Sequence, residues 1–135
     1  MDTGVLETSD GNAPQSAFFK HSNFTRDTSL ASGTQAVTGV GFQPKAVVFF
    51  SCQDNLAGRA SWGVDDGTNS HSIRDSSTIA NNQYNQENGA IVDQQSGSQQ
   101  YKGVINSLDS DGFTIGWTKT GSSTGTLRVI YLAIR

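Results

Sequence analysis

The sequence predicts an all-β protein, an antiparallel β-sandwich folded as a single domain. Three observations carry that expectation. No window of a dozen residues holds apolar side chains at i, i+3, i+4 and i+7 without an intervening glycine or turn cluster. Short segments with a two-residue alternation recur along the chain, and turn dipeptides such as Asp66-Gly67 separate them. Of the 135 residues 34% are hydrophobic and 16% charged, with a net charge of −3, so the remainder is mostly Gly, Ser, Thr, Asn and Gln. Disordered chains pair low hydrophobicity with high net charge. This one is nearly neutral and gathers its apolar residues in short blocks, as a loop-rich folded domain does. Its length suffices for one core that removes about two-thirds of the unfolded surface from water.

Nine segments alternate with period two: 16–26 (SAFFKHSNFTR), 34–40 (TQAVTGV), 45–52 (KAVVFFSC), 59–65 (RASWGVD), 68–75 (TNSHSIRD), 88–93 (NGAIVD), 102–108 (KGVINSL), 112–120 (GFTIGWTKT) and 126–135 (TLRVIYLAIR). One or two of them are expected to be surplus. Asp66-Gly67 tolerates the positive φ of a two-residue turn and marks a hairpin between the fourth and fifth segments; Asp109-Ser110-Asp111-Gly112 marks another between the seventh and eighth. Gly121-Ser122-Ser123-Thr124-Gly125 is expected to join the last two segments as a third antiparallel pair, and Pro44 to open a strand where no ladder donor is needed. The amide-rich stretch 81–100 (NNQYNQENGAIVDQQSGSQQ) reads as a long loop around a short strand. Residues 1–15 carry only Val5 and Leu6 as sizeable apolar side chains besides Met1. They are read as an arm ahead of a 16–135 sandwich domain, either frayed or ordered against a neighbouring subunit.

Several function classes are disfavoured. The nine Lys and Arg residues are scattered from Lys20 to Arg135, whereas neutralising phosphates takes clustered cations, so nucleic acid is not the expected partner. The N-terminus lacks a basic start followed by an apolar stretch, and no run reaches membrane-spanning length, so a soluble product made in the cytosol is expected. Cys52 is the lone cysteine and is expected as a small buried residue at a strand end. His21 and His71 are the only histidines. Ser70, His71 and Asp75 lie too close in sequence to imitate a triad, whose members meet through tertiary geometry, and nucleophile-elbow, P-loop and HExxH patterns are missing. No catalytic residues, cofactor or metal site are assigned, and an enzyme is not expected. VDDGTNSHSIRD and LDSDGF resemble calcium loops, but counting from Asp109 the glycine is fourth rather than sixth and position twelve is Thr120 rather than Glu. Turn roles explain both.

The apolar strands hold the strongest functional signal. Ala46, Val47, Val48, Phe49 and Phe50 follow one another without a polar break. In the last segment Leu127, Val129, Tyr131 and Ala133 fall on one side, and Ile130, Leu132 and Ile134 on the other. A sandwich strand needs only one apolar side. Leaving three large aliphatic side chains in water forgoes roughly 1.5 to 3 kcal/mol each, comparable in sum with the stability of a small domain, about 5 to 15 kcal/mol. The second side is therefore expected to meet another subunit, or else the chain's own 81–100 stretch or N-terminal piece. Val48, Phe50, Ile130, Leu132 and Ile134 are the candidate interface residues. Trp117 shares a side with Phe113 and Ile115 and reads as core, while Trp62 with Asp65, Asp66 and Asn69 forms an alternative sugar platform.

GVGFQPKAVVFF at 39–50, SDGFTIGW at 110–117 and the terminal LRVIYLAIR resemble a module of tailed-bacteriophage virion proteins, found in capsid decoration or cement proteins and in fibre appendages. The likeness covers residues 34–135. It implies a β-sandwich, jelly-roll-like, that assembles as a homotrimer on the major capsid protein or another virion protein, and it brings no catalytic residues. The chain is also similar to H-type lectin domains, which share a Phe-x-x-x-Pro-x-Val strand, a late Gly-Phe strand carrying Trp and an apolar last strand. Here Phe42 is followed by Pro44 after one residue, and the lectin's sugar-contacting positions find no match. The expectation is a phage virion component, a capsid decoration protein acting as an oligomer; the alternative is a carbohydrate-binding module on an appendage.

Overall fold

The computed structural model describes residues 18–54, 59–76 and 83–135. The 1–15 arm lies outside them. Among the described residues ten strands follow one another: β1 (Phe19–Asp27), β2 (Gly33–Thr38), β3 (Ala46–Gln53), β4 (Arg59–Asp65), β5 (Ser70–Ser76), β6 (Gln83–Glu87), β7 (Ile91–Ser96), β8 (Gln99–Asp109), β9 (Gly112–Thr120) and β10 (Thr126–Ile134). They form a six-stranded sheet in the order β1-β10-β3-β4-β5-β6 and a four-stranded sheet in the order β2-β9-β8-β7. Every pairing is antiparallel. The protein is an all-β sandwich, as its alternation implies.

Both Asp-Gly hairpins form. Gly67 takes φ 83° in the β4–β5 turn, and Asp109 pairs with Gly112 across the β8–β9 turn. The second turn also explains the two glycines of GVGF. The Asp111 carboxylate accepts hydrogen bonds from the Gly39 N–H (3.0 Å) and the Gly41 N–H (2.7 Å), and both glycines hold left-handed φ to present them. This clasp fixes the approach to β3, where Pro44 is buried.

Three expectations are corrected. The Gly121–Gly125 segment does not join an antiparallel pair: β9 lies in the smaller sheet and β10 between β1 and β3 in the larger, so the segment crosses the sandwich. Buried Ser123 and the bond from the Thr28 N–H to the Gly125 carbonyl (2.8 Å) pin it there. The short strand expected within 81–100 is β7, but the described residues around it are not a long loop: they form β6 and the start of β8. Finally, the nine segments are not in surplus. All correspond to strands and β6 is additional, because QYNQE has no apolar alternation to reveal it.

The core lies between the sheets. The larger sheet contributes Val47 and Phe49 from β3 and Leu127, Val129, Tyr131 and Ala133 from β10; the smaller contributes Phe113, Ile115 and Trp117 from β9 with Tyr101 and Ile105 from β8. Phe113 meets Phe49 and Tyr131 edge-on, at centroid distances of 5.7 and 5.2 Å. Arg26 lies over the Tyr101 and Trp117 rings and donates Nε–H to the Tyr101 hydroxyl (2.8 Å). On β4 the sheets approach so closely that a Cβ at Gly63 would sit 1.9 Å from the Ala90 carbonyl oxygen. Only glycine fits.

Part of the interior is polar. Asp65, 1% exposed, accepts from the Ile105 N–H of the opposite sheet and from the Gly67 N–H of its own turn, each at 2.8 Å. Ser51 and Ser61 share a 2.7 Å hydrogen bond, and Ser61 Oγ accepts the Val92 N–H. Asp93 is buried on β7, with one oxygen accepting from Gln95 Nε2 (2.6 Å). Burial pushes its carboxyl above the usual range, against the Gln95 hydrogen bond and the charge of Arg59.

Two outcomes are expected. Gly63→Ala should lower stability by about 1 to 3 kcal/mol, read as an earlier urea midpoint, because the added methyl overlaps backbone that cannot step aside. The folded state holds the Asp93 proton more tightly than the unfolded chain, so the associated stability is present below the unfolded carboxyl range and lost as pH rises through the raised folded value. Asp93→Asn keeps an acceptor for Gln95 and removes the titration. In urea titrations the variant should gain on the parent as pH rises above the ordinary carboxylate range.

Candidate functional site: the outer face of the six-stranded sheet

Side chains alternate across each strand, so those not facing the core emerge together on the outside of the larger sheet. The ladder register arranges them in cross-strand rows. One row runs Asn23, Ile130, Phe50, Trp62, Ile73 from β1 through β10, β3 and β4 to β5. The next runs His21, Leu132, Val48, Val64, His71, Glu87 out to β6. A third holds Thr25, Arg128, Cys52, Ala60 and Asp75. Phe19 and Ile134 pair at the opposite end.

Seven apolar side chains thus form one block: Ile130, Leu132, Val48, Phe50, Trp62, Val64 and Ile73. Much of it is open to solvent, with Ile73 59%, Ile130 57%, Trp62 47%, Val64 45% and Phe50 44% exposed. Trp62 stands between two grooves, one bounded by Phe50 and Ile130, the other by Val48, Val64 and Ile73. Polar residues ring the block: His21, Asn23 and Thr25 along β1, Arg128 and Asp75 in the third row, His71 and Glu87 on the far side. The Arg128 Nε–H is held by Asp54, which raises the guanidinium pKa further. An apolar centre with a polar rim is the anatomy of a protein interface.

All five residues singled out from the sequence, Val48, Phe50, Ile130, Leu132 and Ile134, lie on this face, and Val47 and Phe49 face the core instead. Val64 and Ile73 were missed. The signal was available, because the Asp66-Gly67 turn sets the β4–β5 register and so places Val64 and Ile73 on the side of Trp62. Cys52 departs from expectation: it is exposed in the third row, since its parity matches Phe50 rather than Phe49.

The alternative sugar platform does not come together. Trp62 and Asp65 are an odd number of residues apart on one strand and point to opposite faces. Asp65 is buried with its carboxylate engaged. The Asp66 carboxylate is occupied by the Thr68 N–H and by the N–H and side-chain amide of Asn69, and the Asn69 contacts foremost hold its pKa down. Ser70 and His71 likewise face opposite sides of β5. Asp109 accepts hydrogen bonds from Ser107 and Thr114, so its turn, like the Asp111 clasp, is internally bonded. Among the described residues no group of three or more His, Cys, Asp or Glu side chains is placed to hold a metal ion, and no helix is long and apolar enough to cross a membrane.

Comparison with known proteins returned no matching family model, no matching curated protein and no matching solved structure.

The two tryptophans provide a direct check on this geometry, since Trp117 is 2% exposed and Trp62 about half open. In dilute solution a Trp117→Phe variant should emit at longer wavelength and be quenched strongly by acrylamide. Trp62→Phe should leave a shorter-wavelength emission that resists quenching.

Proposed function

We propose that the protein is a structural assembly module, a virion component of a tailed bacteriophage, whose copies are held together through the outer face and attach as an oligomer to the capsid surface or an appendage. The observation that carries this is the contiguous apolar block on the six-stranded sheet. Single exposed hydrophobic residues are ordinary, but a patch of this kind marks contact. Polar rim included, the rows span roughly 24 by 20 Å at ordinary strand spacings, about 480 Å² in projection, against the roughly 800 Å² of accessible surface each partner buries in a specific interface.

A second copy fits better than the chain's own N-terminus. Residues 1–17 offer Val5 and Leu6 as sizeable apolar side chains besides Met1, too few to cover a block of seven. With a net charge of −3 and no clustered cations, the chain suits a protein surface better than a nucleic acid. The likeness of GVGFQPKAVVFF, SDGFTIGW and LRVIYLAIR to decoration and fibre modules supports the virion setting and makes three copies the first expectation. The carbohydrate-binding reading retains one supporting observation, the exposed Trp62 between its grooves. A glycan array with the parent and Trp62→Ala tests it, and equal binding by the two removes Trp62 from that role.

In sedimentation at micromolar concentration the chain should run as an oligomer. Ile130→Asp and Phe50→Asp should each weaken association by about tenfold or more, as truncated interface centres do, while leaving the melting temperature of the monomer nearly unchanged. The parent should rebind capsids stripped of their decoration. A chain that stays monomeric and rebinds no particle overturns the proposal.

A further inference from the structure

The outer face is complementary to itself. Its six strands stand as columns in the order β1, β10, β3, β4, β5, β6, and a two-fold axis parallel to the strands, running between β3 and β4 in front of the face, sets each column opposite its mirror position. Rows are preserved. Phe50 of one copy then meets Trp62 of the second, Val48 meets Val64, and Ile130 meets Ile73. The rim follows the same rule: Arg128 falls opposite Asp75, and His21 opposite Glu87, in positions fixed by the ladder register. Asp54 takes the Nε–H of Arg128, and the guanidinium fork has terminal N–H groups with which it could pair with a second carboxylate. By contrast, a two-fold axis across the strands would set Arg128 against Ile134 and place a charge on an aliphatic side chain.

We propose that two copies of this chain pair face to face about an axis along their strands, with Phe50–Trp62 contacts at the centre and reciprocal Arg128–Asp75 pairs at the rim. This rests on the assembly reading above and, from the complementarity of the face, takes two copies in place of the three that the likeness implies. The contact is isologous, so each favourable pair occurs twice. Two sheets stacked this way lie about 10 Å apart with mean strand directions within about 30° of each other, as in a sandwich, and the pair becomes a four-layer stack.

Sedimentation equilibrium of the full chain at low salt, with charge-reversed variants, tests the proposal. The parent should show the mass of two chains. Arg128→Asp and Asp75→Arg should each raise the dissociation constant tenfold or more, and the chain carrying both changes should return to within about threefold of the parent, because the swapped charges meet again across the axis. Circular dichroism melts of each variant check that changes at exposed Arg128 and half-buried Asp75 leave the fold intact. A parent that sediments as three chains overturns the two-fold pairing but leaves the assembly reading standing; a parent that stays monomeric overturns both. A dimer whose double variant remains as weak as the singles overturns this register.

Discussion

A β-strand has two sides, and the four-stranded layer of this sandwich covers only one side of the six-stranded layer. The rest of the molecule is arranged around that constraint. On the inner side the strands supply Val47, Phe49, Val129 and Tyr131 to a closed core, with Phe113 wedged between two aromatic edges. On the outer side the same strands supply Phe50, Ile130 and Leu132 to nothing in the described chain. A sequence with so few hydrophobic residues sets seven of them in one block that the other described residues leave largely open, and that distribution is the physical basis of the assembly reading.

Polar groups inside the sandwich and at its strand ends act as fasteners between parts that apolar packing alone would leave free to slide. Asp65 ties the β4–β5 turn to β8 across the layers, and Asp111 ties the β8–β9 turn to the entry of β3. Each carboxylate accepts two backbone N–H groups, so its burial or ordering is offset by charge-assisted bonds. Both lie in Asp-rich turns. Their carboxylates hold the fold together from the ends of the strands, which leaves the outer face without a cluster of acids.

Much of the fold could be read from the sequence because alternation and turn chemistry agreed there. β4 and β9 coincide with the segments 59–65 and 112–120, since RASWGVD and GFTIGWTKT combine a period of two with an Asp-Gly boundary. β6 escaped because QYNQE has no apolar side to betray its period. The path through Gly121–Gly125 escaped for another reason: a flexible polar link suits a hairpin and a crossing equally, and only the placement of β9 and β10 in separate sheets decides. The candidate face was half legible. Its β3 and β10 residues were evident as unbroken apolar runs, whereas Val64 and Ile73 sit singly among polar neighbours and join the block only through register. Asp65 and Cys52 were misjudged because residue type outweighed parity: an Asp beside a Trp suggested a polar site, and a cysteine suggested burial.

The backbone N–H of Arg135 donates to the carbonyl of Phe18 at 2.9 Å, so the first and last described residues meet at one corner of the larger sheet. An axis running along the strands keeps both copies pointing the same way, so Phe18 and Arg135 of both copies would lie at a single pole. The opposite pole, at Asp54 and Arg59, would carry neither. An assembly built so has a top and a bottom, with the Phe18–Arg135 corners of both copies on the same side.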